Sequence, residues 1–394
     1  MDKSIKTVFI IGARGYRYKY GGWETFVRGL LDNWKDDNFR FYVVEKVQEK
    51  EDEGLLKINE FITLIKMCVR ESGGFTMMKY DYFATKYIID FVKENKIDKP
   101  IFYYLGLRIG PYVYLKRRSI KKLNANILEN AAGLEWKRTK WNFLVQIYLW
   151  ISAYFMAKAS DYLICDSEGI LTEYNKMIRS KRPKKLFIPY GTYTNINTSF
   201  SKNEKENEFF IKHKLHENKY YLIVNRFVPE NSYELILSEF LKSTTDCDLV
   251  LVTNYNTEIK FYNKLLKKLS FDKDKRIKFV GPVYDPNILN YLRYNARGYI
   301  NGHTLGGTNP GLLEAMSVVD VNIVYDVIFA RQVGQDAVLY YDNKTQKLKD
   351  LISYCDSIST SEKNSLGNKA KQRMINYYSW DLVVEKYKIF FDRI

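Results

Sequence analysis

The residues best suited to chemistry gather in residues 301–316, NGHTLGGTNPGLLEAM. Asn309 followed by Pro310 marks a helix start, with Asn at the N-cap and Pro at the first helical position. Just ahead, Gly306, Gly307 and Thr308 let the backbone approach a ligand closely and turn amide N–H groups towards it. With the positive end of the helix dipole added, a phosphate or diphosphate is the group such a loop suits. Glu314 lies one turn into the helix, too deep to cap it, where it can accept hydrogen bonds from ribose hydroxyls. The plainer alternative is a capped helix carrying a surface glutamate.

Two further segments carry weight. In residues 224–232, VNRFVPENS, a strand-end Arg226 can place its planar guanidinium bidentately on phosphate oxygens, or simply pair with Glu230 on the surface. In residues 12–26, GARGYRYKYGGWETF, the spacing is not that of a dinucleotide fingerprint. Gly21 and Gly22 precede a helix opening with Glu24, so this loop can approach a diphosphate or an acceptor, or serve only as a turn into the helix. Glu135 and His303 are candidates for gripping sugar hydroxyls, each with a structural role as the alternative. Asp166-Ser167, at the end of an apolar run, reads first as a helix cap.

Such loops need strands behind them and helices after them, and the chain alternates the two, the pattern of parallel sheets with crossover helices. In the first half, residues 8–11, 39–44, 101–104, 125–128, 162–165 and 186–189 read as strands, with a helix over 23–34. Ala84, Tyr87, Ile88, Phe91 and Val92 have helical spacing and one apolar face. A polar, aperiodic stretch over 195–208 is the expected linker. Strands at 220–224, 249–253, 277–280, 298–300 and 321–325 follow, with helices at 258–269 and 286–295. Trp380, Val383, Val384, Tyr387 and Phe391 line one face of a closing helix. The expected division is 1–195, 210–376 and a terminal helix at 377–394, with a ligand cleft where strand ends converge.

A length of 394 residues favours two domains, and 62 Lys+Arg against 46 Asp+Glu, a net charge of +16, favours anionic partners. Lys-rich surfaces also serve solubility alone. No zinc-finger spacing or RNA-recognition motif is found, which disfavours nucleic acid. Cys68, Cys165, Cys247 and Cys355 lie too far apart for a disulfide framework or zinc site, and three histidines argue against a multi-histidine centre, so neither metal nor cofactor is expected. The start of the chain does not read as a signal peptide. The apolar run 143–157, broken by Gln146 and Ser152, falls short of the ~20 residues of a membrane span and reads as a buried helix. A cytoplasmic protein is expected. Lys116-Arg117-Arg118, Lys121-Lys122, Lys137-Arg138 and Lys140 adjoin Trp141, Phe143, Tyr148 and Trp150, which predicts salt-sensitive, peripheral attachment to an anionic membrane face.

The segments GARGYRYKYGGWETF, ENAAGLEWKRTKW, CDSEGI, NRFVPEN, KFVGPVYD, NGHTLGGTNPGLLEAM and SWDLVVEKY occur in an order that resembles the bacterial rhamnosyltransferases of capsule and exopolysaccharide synthesis, within family 4 of the retaining glycosyltransferases. The resemblance spans residues 7–390. It implies a GT-B fold of two Rossmann-like domains facing a central cleft, with the last helix returning to the first domain. It also implies a dTDP- or UDP-sugar donor, typically dTDP-rhamnose, a lipid-diphosphate-linked acceptor at the inner membrane face, other polysaccharide-assembly proteins as partners, and no metal. Arg226 resembles the arginine that neutralises the diphosphate, Glu314 the ribose-holding glutamate, and Gly306, Gly307, Thr308 and Asn309 the loop over the donor phosphates and sugar. Gly21, Gly22 and Glu24 match the first-domain loop, while Asn130, Glu135 and His303 fall where sugar or acceptor would be contacted. The chain departs from the wider family at Gly306 and Asn231, where Glu and Lys are usual, and Asn231 is still expected among the residues that bind the donor diphosphate. It departs from the rhamnosyltransferase group at Ala132, Ala330 and Gln332, where Asp, Asn and Glu are usual and where the sugar is expected to lie.

These features predict front-face transfer with retention, in which Arg226 and the amides of Gly307 and Thr308 stabilise the leaving diphosphate. The phosphate oxygen itself can take the acceptor proton, because no histidine precedes residue 213. Glu314 and Glu135 complete the expected catalytic set. Three other readings stand beside this one: a UDP-hexose donor on the same fold, a silent nucleotide-sugar-binding subunit, and, ranked last, a nucleic-acid-binding protein.

Overall fold

Strands that are apolar on both faces belong inside a covered parallel sheet. Tyr220–Val224 shows how the chain obeys this. Tyr220 and Leu222 point into one core with Phe210, Ala315 and Val319, while Tyr221 and Ile223 point into another with Tyr233, Ile236 and Leu251. A computed structural model of the chain describes residues 5–18, 21–131, 133–138, 140–194, 204–255 and 258–394. It divides into two compact units, Met1–Tyr190 with Trp380–Ile394, and Gly191–Ser379.

The first unit contains β1 (Lys6–Ile11), β2 (Phe39–Val47), β3 (Gly54–Lys57), β4 (Ile62–Cys68), β5 (Ile101–Leu105), β6 (Asn126–Asn130), β7 (Tyr162–Cys165) and β8 (Lys184–Phe187). Their order in the sheet is β3-β4-β2-β1-β5-β6-β7-β8, parallel except for β3, which runs antiparallel to β4. The second unit contains β9 (Tyr220–Val224), β10 (Asp248–Val252), β11 (Ile277–Phe279), β12 (Gly298–Asn301), β13 (Asn322–Tyr325) and β14 (Leu339–Tyr341). Its order is β11-β10-β9-β12-β13-β14, parallel throughout. Each sheet starts near its middle, grows to one side and then jumps back to grow to the other. That is doubly wound, Rossmann-like topology.

The helix Trp380–Asp392 belongs to the first unit. Trp380 covers Gly29 of the helix Gly22–Asp32 so closely that a Cβ at residue 29 would overlap the indole ring. Tyr387 shares a 2.8 Å hydrogen bond with Tyr103 on β5, and Lys6 Nζ donates to the Phe391 and Asp392 carbonyls, each at 2.7 Å. At the start of the second unit Thr192 N–H donates to the Tyr378 carbonyl at 2.7 Å. The chain therefore enters that unit at Gly191 and leaves it after Ser379, a few residues from the expected limits of 195 and 377.

Three expectations need correcting. Of the stretch expected as a linker, 195–203 lies outside the described residues, and 204–208 opens the helix Glu204–His213. The apolar anchor of that helix, Phe210, lies just beyond the stretch and packs on Tyr291. The region between β2 and the next helix also holds two strands, β3 and β4, that the periodicity did not reveal. The run expected as a buried helix is the helix Phe143–Ala159, but only one side of it is covered. Leu149, Ser152, Ala153 and Met156 are buried, with Ser152 accepting from Gly110 N–H of the helix Gly110–Lys121, while Phe143 is 72% and Leu144 76% exposed. A helix apolar around its whole circumference cannot reveal which side is buried.

The Gly29–Trp380 contact makes a testable claim about how the terminal helix is held. Trp380→Ala empties a buried site and should cost about 3–5 kcal/mol. Gly29→Ala crowds the same ring and should cost about 1–3 kcal/mol. Because both act on one contact, urea denaturation of the double variant should fall well short of their sum. Strict additivity would mean that the helix is anchored elsewhere.

Candidate functional site

In a doubly wound sheet the ligand crevice opens beyond the carboxyl ends of the two strands where the winding reverses. In the second unit those strands are β9 and β12. The chain leaving β9 carries Arg226, and the chain leaving β12 carries His303 through Asn309. The two departures are tied together. Tyr299 on β12 donates to the Val224 carbonyl at 3.2 Å, and Thr304 donates to the Glu230 carbonyl through both its N–H and its hydroxyl, each at 2.9 Å.

Asn231 is the centre of this tie. It is buried, its Nδ2 donates to the Arg226 carbonyl at 2.7 Å, and its Oδ1 lies 2.9 Å from Nδ1 of His303. With the amide nitrogen committed to a carbonyl, Oδ1 can only accept, so His303 Nδ1 carries the proton. Nε2 of the neutral ring is then an acceptor, and it faces Gly306. That glycine has φ +147°, and a Cβ there would lie 2.9 Å from Nε2. The imidazole occupies the room a side chain at 306 would need, which is a physical reason for Gly306 beside His303 in this chain.

Arg226 itself is exposed, and among the described residues no ion pair engages its guanidinium, with Glu230 or any other carboxylate. Gly306 and Thr308 are buried and Gly307 is half-buried. Asn309 caps the short helix Pro310–Met316, accepting from Leu312 N–H at 3.2 Å. Glu314 is not a free surface glutamate. One of its carboxylate oxygens is held by Arg293, a guanidinium only 3% exposed on the helix Pro286–Tyr294. Sequence reasoning missed Arg293, since a buried arginine inside an amphipathic helix has no distinguishing signal. Of the departures, Ala330 is buried, and the Gln332 carbonyl accepts from Arg373 at 2.6 Å. The structure thus corrects Ala330 as a position open to a sugar, and Ala132 lies outside the described residues.

The winding of the first unit reverses between β1 and β5, and the glycine loop leaves β1 there. Arg108, just past β5, donates to the Gly12 carbonyl at 3.1 and 3.2 Å and pairs with buried Asp81 at 2.7 Å. Burial pushes the Asp81 carboxyl up, while Arg108 opposes that shift. Arg108 was also missed, although its place after an apolar strand was a usable signal. Two further carboxylates brace the loop. Glu24 Oε1 accepts from Arg14 N–H at 2.9 Å, and Glu45 accepts from Arg17 Nε at 2.7 Å. Gly21, at φ +137°, leaves no room for a Cβ beneath the Glu24 carboxylate, whereas Gly22 faces open space. Glu24 is therefore committed to shaping the loop.

Two other expected contacts separate. Asn130 is 2% exposed, and its amide donates to Tyr103 at 2.8 Å, so it is a core residue and not a surface for sugar. Glu135 is partly exposed, with Arg138 at 2.7 Å and Lys140 at 3.4 Å. Burial alone would raise its pKa, but these two cations outweigh burial and hold the carboxyl below its ordinary range. It stays ionised at neutral pH, which suits binding a hydroxyl better than donating a proton. Ser167 caps the helix Glu168–Met177 through Ile170 N–H at 3.2 Å. Among the described residues, no group of three His, Cys, Asp or Glu side chains could hold a metal ion.

Comparison with known proteins fits this topology. No curated protein matches the sequence. A family model described as a domain of unknown function, DUF1972, matches residues 5–193. Among solved structures, sucrose-phosphate synthase from Thermosynechococcus elongatus is similar at a TM-score of 0.76 and 13% identity, covering 98% of each chain. HepE from Anabaena, in complex with UDP, gives 0.71 and 11% identity over 99% of this chain and 100% of its own. A glycosyltransferase from Rickettsia africae gives 0.70 and 16%, over 99% and 98%. The fold is GT-B. Gly191–Ser379 is then the second Rossmann-like domain of a GT-B chain, and its winding reversal lies at Arg226 and His303.

The hydrogen bonds around Asn231 predict an unusual tautomer. In nitrogen-correlated NMR spectra above pH 8, His303 should appear with Nδ1 protonated and Nε2 bare. Asn231→Leu should return it to the ordinary Nε2–H form. A wild-type signal already in that form would show that Asn231 does not orient the ring.

Proposed function

We propose that the chain is a retaining glycosyltransferase that binds a nucleotide-diphosphate sugar at the β9–β12 edge of its second domain. One observation carries the reading. An unpaired, exposed guanidinium and a glycine-lined loop leave neighbouring strands at the winding reversal, tied side by side through Asn231 and Glu230. Two linked phosphates suit such a pair: amides and Arg226 supply donors, and among the described residues no carboxylate neutralises the arginine. Structures of HepE hold UDP or UDP-glucose, and that of the trehalose-6-phosphate protein from E. coli holds UDP-2-fluoro glucose, which supports a nucleotide-sugar ligand for this fold.

In the transfer, the bond between the sugar's anomeric carbon and the diphosphate oxygen breaks while the acceptor oxygen forms its own bond to that carbon from the same face. Negative charge gathers on the diphosphate as it leaves. Arg226 and the amides of Gly307 and Thr308 meet that charge, and preorganised donors of this kind usually supply the largest catalytic term. The acceptor's proton passes to a phosphate oxygen. Glu314, steadied by Arg293, keeps one carboxylate oxygen for the ribose hydroxyls. His303 Nε2 accepts from a donor-sugar hydroxyl.

The donor we favour is dTDP-rhamnose, on the resemblance to capsule and exopolysaccharide rhamnosyltransferases. A UDP-hexose is the second reading, favoured by the UDP bound in HepE. The acceptor we favour is lipid-linked, reached by peripheral attachment to an anionic membrane face in the company of other polysaccharide-assembly proteins. Among the described residues no helix is long and apolar enough to cross a membrane. The helix Phe143–Ala159 instead exposes Phe143, Leu144, Ile147, Trp150 and Ile151 along one side. Lys140 lies at its start and Lys158 in its last turn, the mixture an anionic interface attracts.

Calorimetry with a panel of dTDP- and UDP-sugars should find one donor bound far more tightly than the others. Arg226→Ala should lower transfer from that donor by about 100-fold or more with thermal stability unchanged. Turnover near that of the wild type in this variant would remove Arg226 from the chemistry. Co-sedimentation with phosphatidylglycerol vesicles should fall as salt rises from 50 to about 500 mM; binding that ignores salt would rule out the electrostatic part of the attachment.

A further inference from the structure

The first domain carries an apolar groove of about 660 Å³ that none of the steps above uses. It lies between the helix Thr76–Glu94 and the start of the helix Gly110–Lys121, and Tyr148 of the helix Phe143–Ala159 also lines it. Its walls include Phe75, Met78, Phe83, Ile109 and Pro111, with Tyr82 and Tyr112 in contact at 4.5 Å between ring centroids. Phe75 is 67% and Phe83 46% exposed, so these aromatic walls stand open and not closed into the core. Two cations lie on the rim, Arg70 and Lys79. Both are exposed, and among the described residues neither is engaged in an ion pair.

Position and charge restrict what this groove can hold. Tyr148 donates to the Arg108 carbonyl at 2.8 Å, and the Arg108 guanidinium holds the Gly12 carbonyl of the glycine loop. Tyr148 thus connects the groove, through the Arg108 backbone, to the residue that holds the glycine loop. On the same helix as Tyr148, Ile147 and Ile151 belong to the exposed apolar side. A second depression, of about 440 Å³, shares Cys68 and Phe83 with the groove, and there three carboxylates, Glu53, Asp90 and Glu94, outnumber one cation, Lys86. Those carboxylates repel an anion, so an anionic head is directed towards Arg70 and Lys79.

We infer that the groove binds the long hydrocarbon chain of a phosphate-bearing lipid, its head held by Arg70 and Lys79. The inference rests on the lipid-linked acceptor proposed above and assigns its hydrocarbon chain to the first domain. A peptide fits less well, because an apolar wall leaves most of its backbone N–H and C=O groups without partners. A lipid chain has no such groups to satisfy, and it gains with every methylene removed from water.

The test is a chain-length series of alkyl phosphates, octyl to tetradecyl, titrated into the full chain below their micelle concentrations. Each added methylene should tighten binding about three- to four-fold until the groove is full. Inorganic phosphate and diphosphate should bind far more weakly than any of them. Phe83→Glu, at an exposed position where folding is spared, should flatten the series. Arg70→Glu with Lys79→Glu should weaken every member by a similar factor and leave the slope intact. A flat series in the wild type, or a slope untouched by Phe83→Glu, would overturn the assignment. So would a Phe83→Glu variant that loses phosphatidylglycerol vesicles while the alkyl slope persists, since the groove would then be a bilayer contact. Nucleotide-sugar calorimetry on the same variant separates the two claims. Phe83→Glu should bind donor as the wild type does, and a wild type that binds no donor would sink the transferase reading while leaving the lipid slope to stand by itself.

Discussion

A parallel sheet sends every strand end out at one edge, and the chemistry of this protein depends on that constraint. Where the winding reverses, the two outgoing chains turn to opposite faces of the sheet and leave a gap between them. In the second domain the reversal lies between β9 and β12, so Arg226 and the His303–Asn309 loop emerge as neighbours although more than seventy residues separate them. In the first domain it lies between β1 and β5, which brings Arg108 onto the glycine loop. Neither meeting depends on local sequence alone. Strand order creates both.

The two domains hold their loops by different physics. In the first, carboxyl and guanidinium side chains do the work: Glu24 on the Arg14 amide, Glu45 on Arg17, and Arg108 between Asp81 and the Gly12 carbonyl. In the second, the tie is neutral, an amide locked to an imidazole with a backbone carbonyl behind it. The difference matters for a site that receives phosphate. A carboxylate bracing the Gly306 loop would repel the ligand and draw off the charge of Arg226. The negative group that does lie close, Glu314, is balanced by a buried arginine. Gly306 and Asn231 thus belong to one arrangement. The imidazole fills the space over residue 306, and the amide at 231 sets which ring nitrogen faces it.

How much of this could be read in the chain depends on the range of the signal. The strands at β1, β5, β7, β9, β10 and β12 announced themselves as short apolar runs, and Asn309-Pro310 marked its helix start, because those signals are local. Strand β3 was missed because it is only four residues long and mostly exposed at the sheet edge, and β4, which pairs with it, was missed beside it. Asn130 looked like a contact residue from its place in a motif. Its burial depends on Tyr387, more than two hundred and fifty residues away, which the motif could not carry. Arg293 and Arg108 escaped for the same reason, since each acquires its partner only when distant elements pack.

The apolar surface of the first domain shows why distribution matters more than count. In the second domain Ile211, Tyr284 and Ile328 are exposed apolar side chains that stand singly on different elements. Single exposed hydrophobes are ordinary and need no ligand to explain them. On the helix Phe143–Ala159 they recur every three to four residues along one side, and on the helix Thr76–Glu94 Tyr82, Phe83 and Tyr87 form a second exposed set beside the groove. A helix has no need of an apolar outer stripe for its own stability, and water penalises each such residue. The first domain keeps two of them, and Tyr82, Phe83 and Tyr148 from the two helices line one groove together with Arg70 and Lys79. Folding does not account for that arrangement. An amphiphile with a long chain and a negative head does.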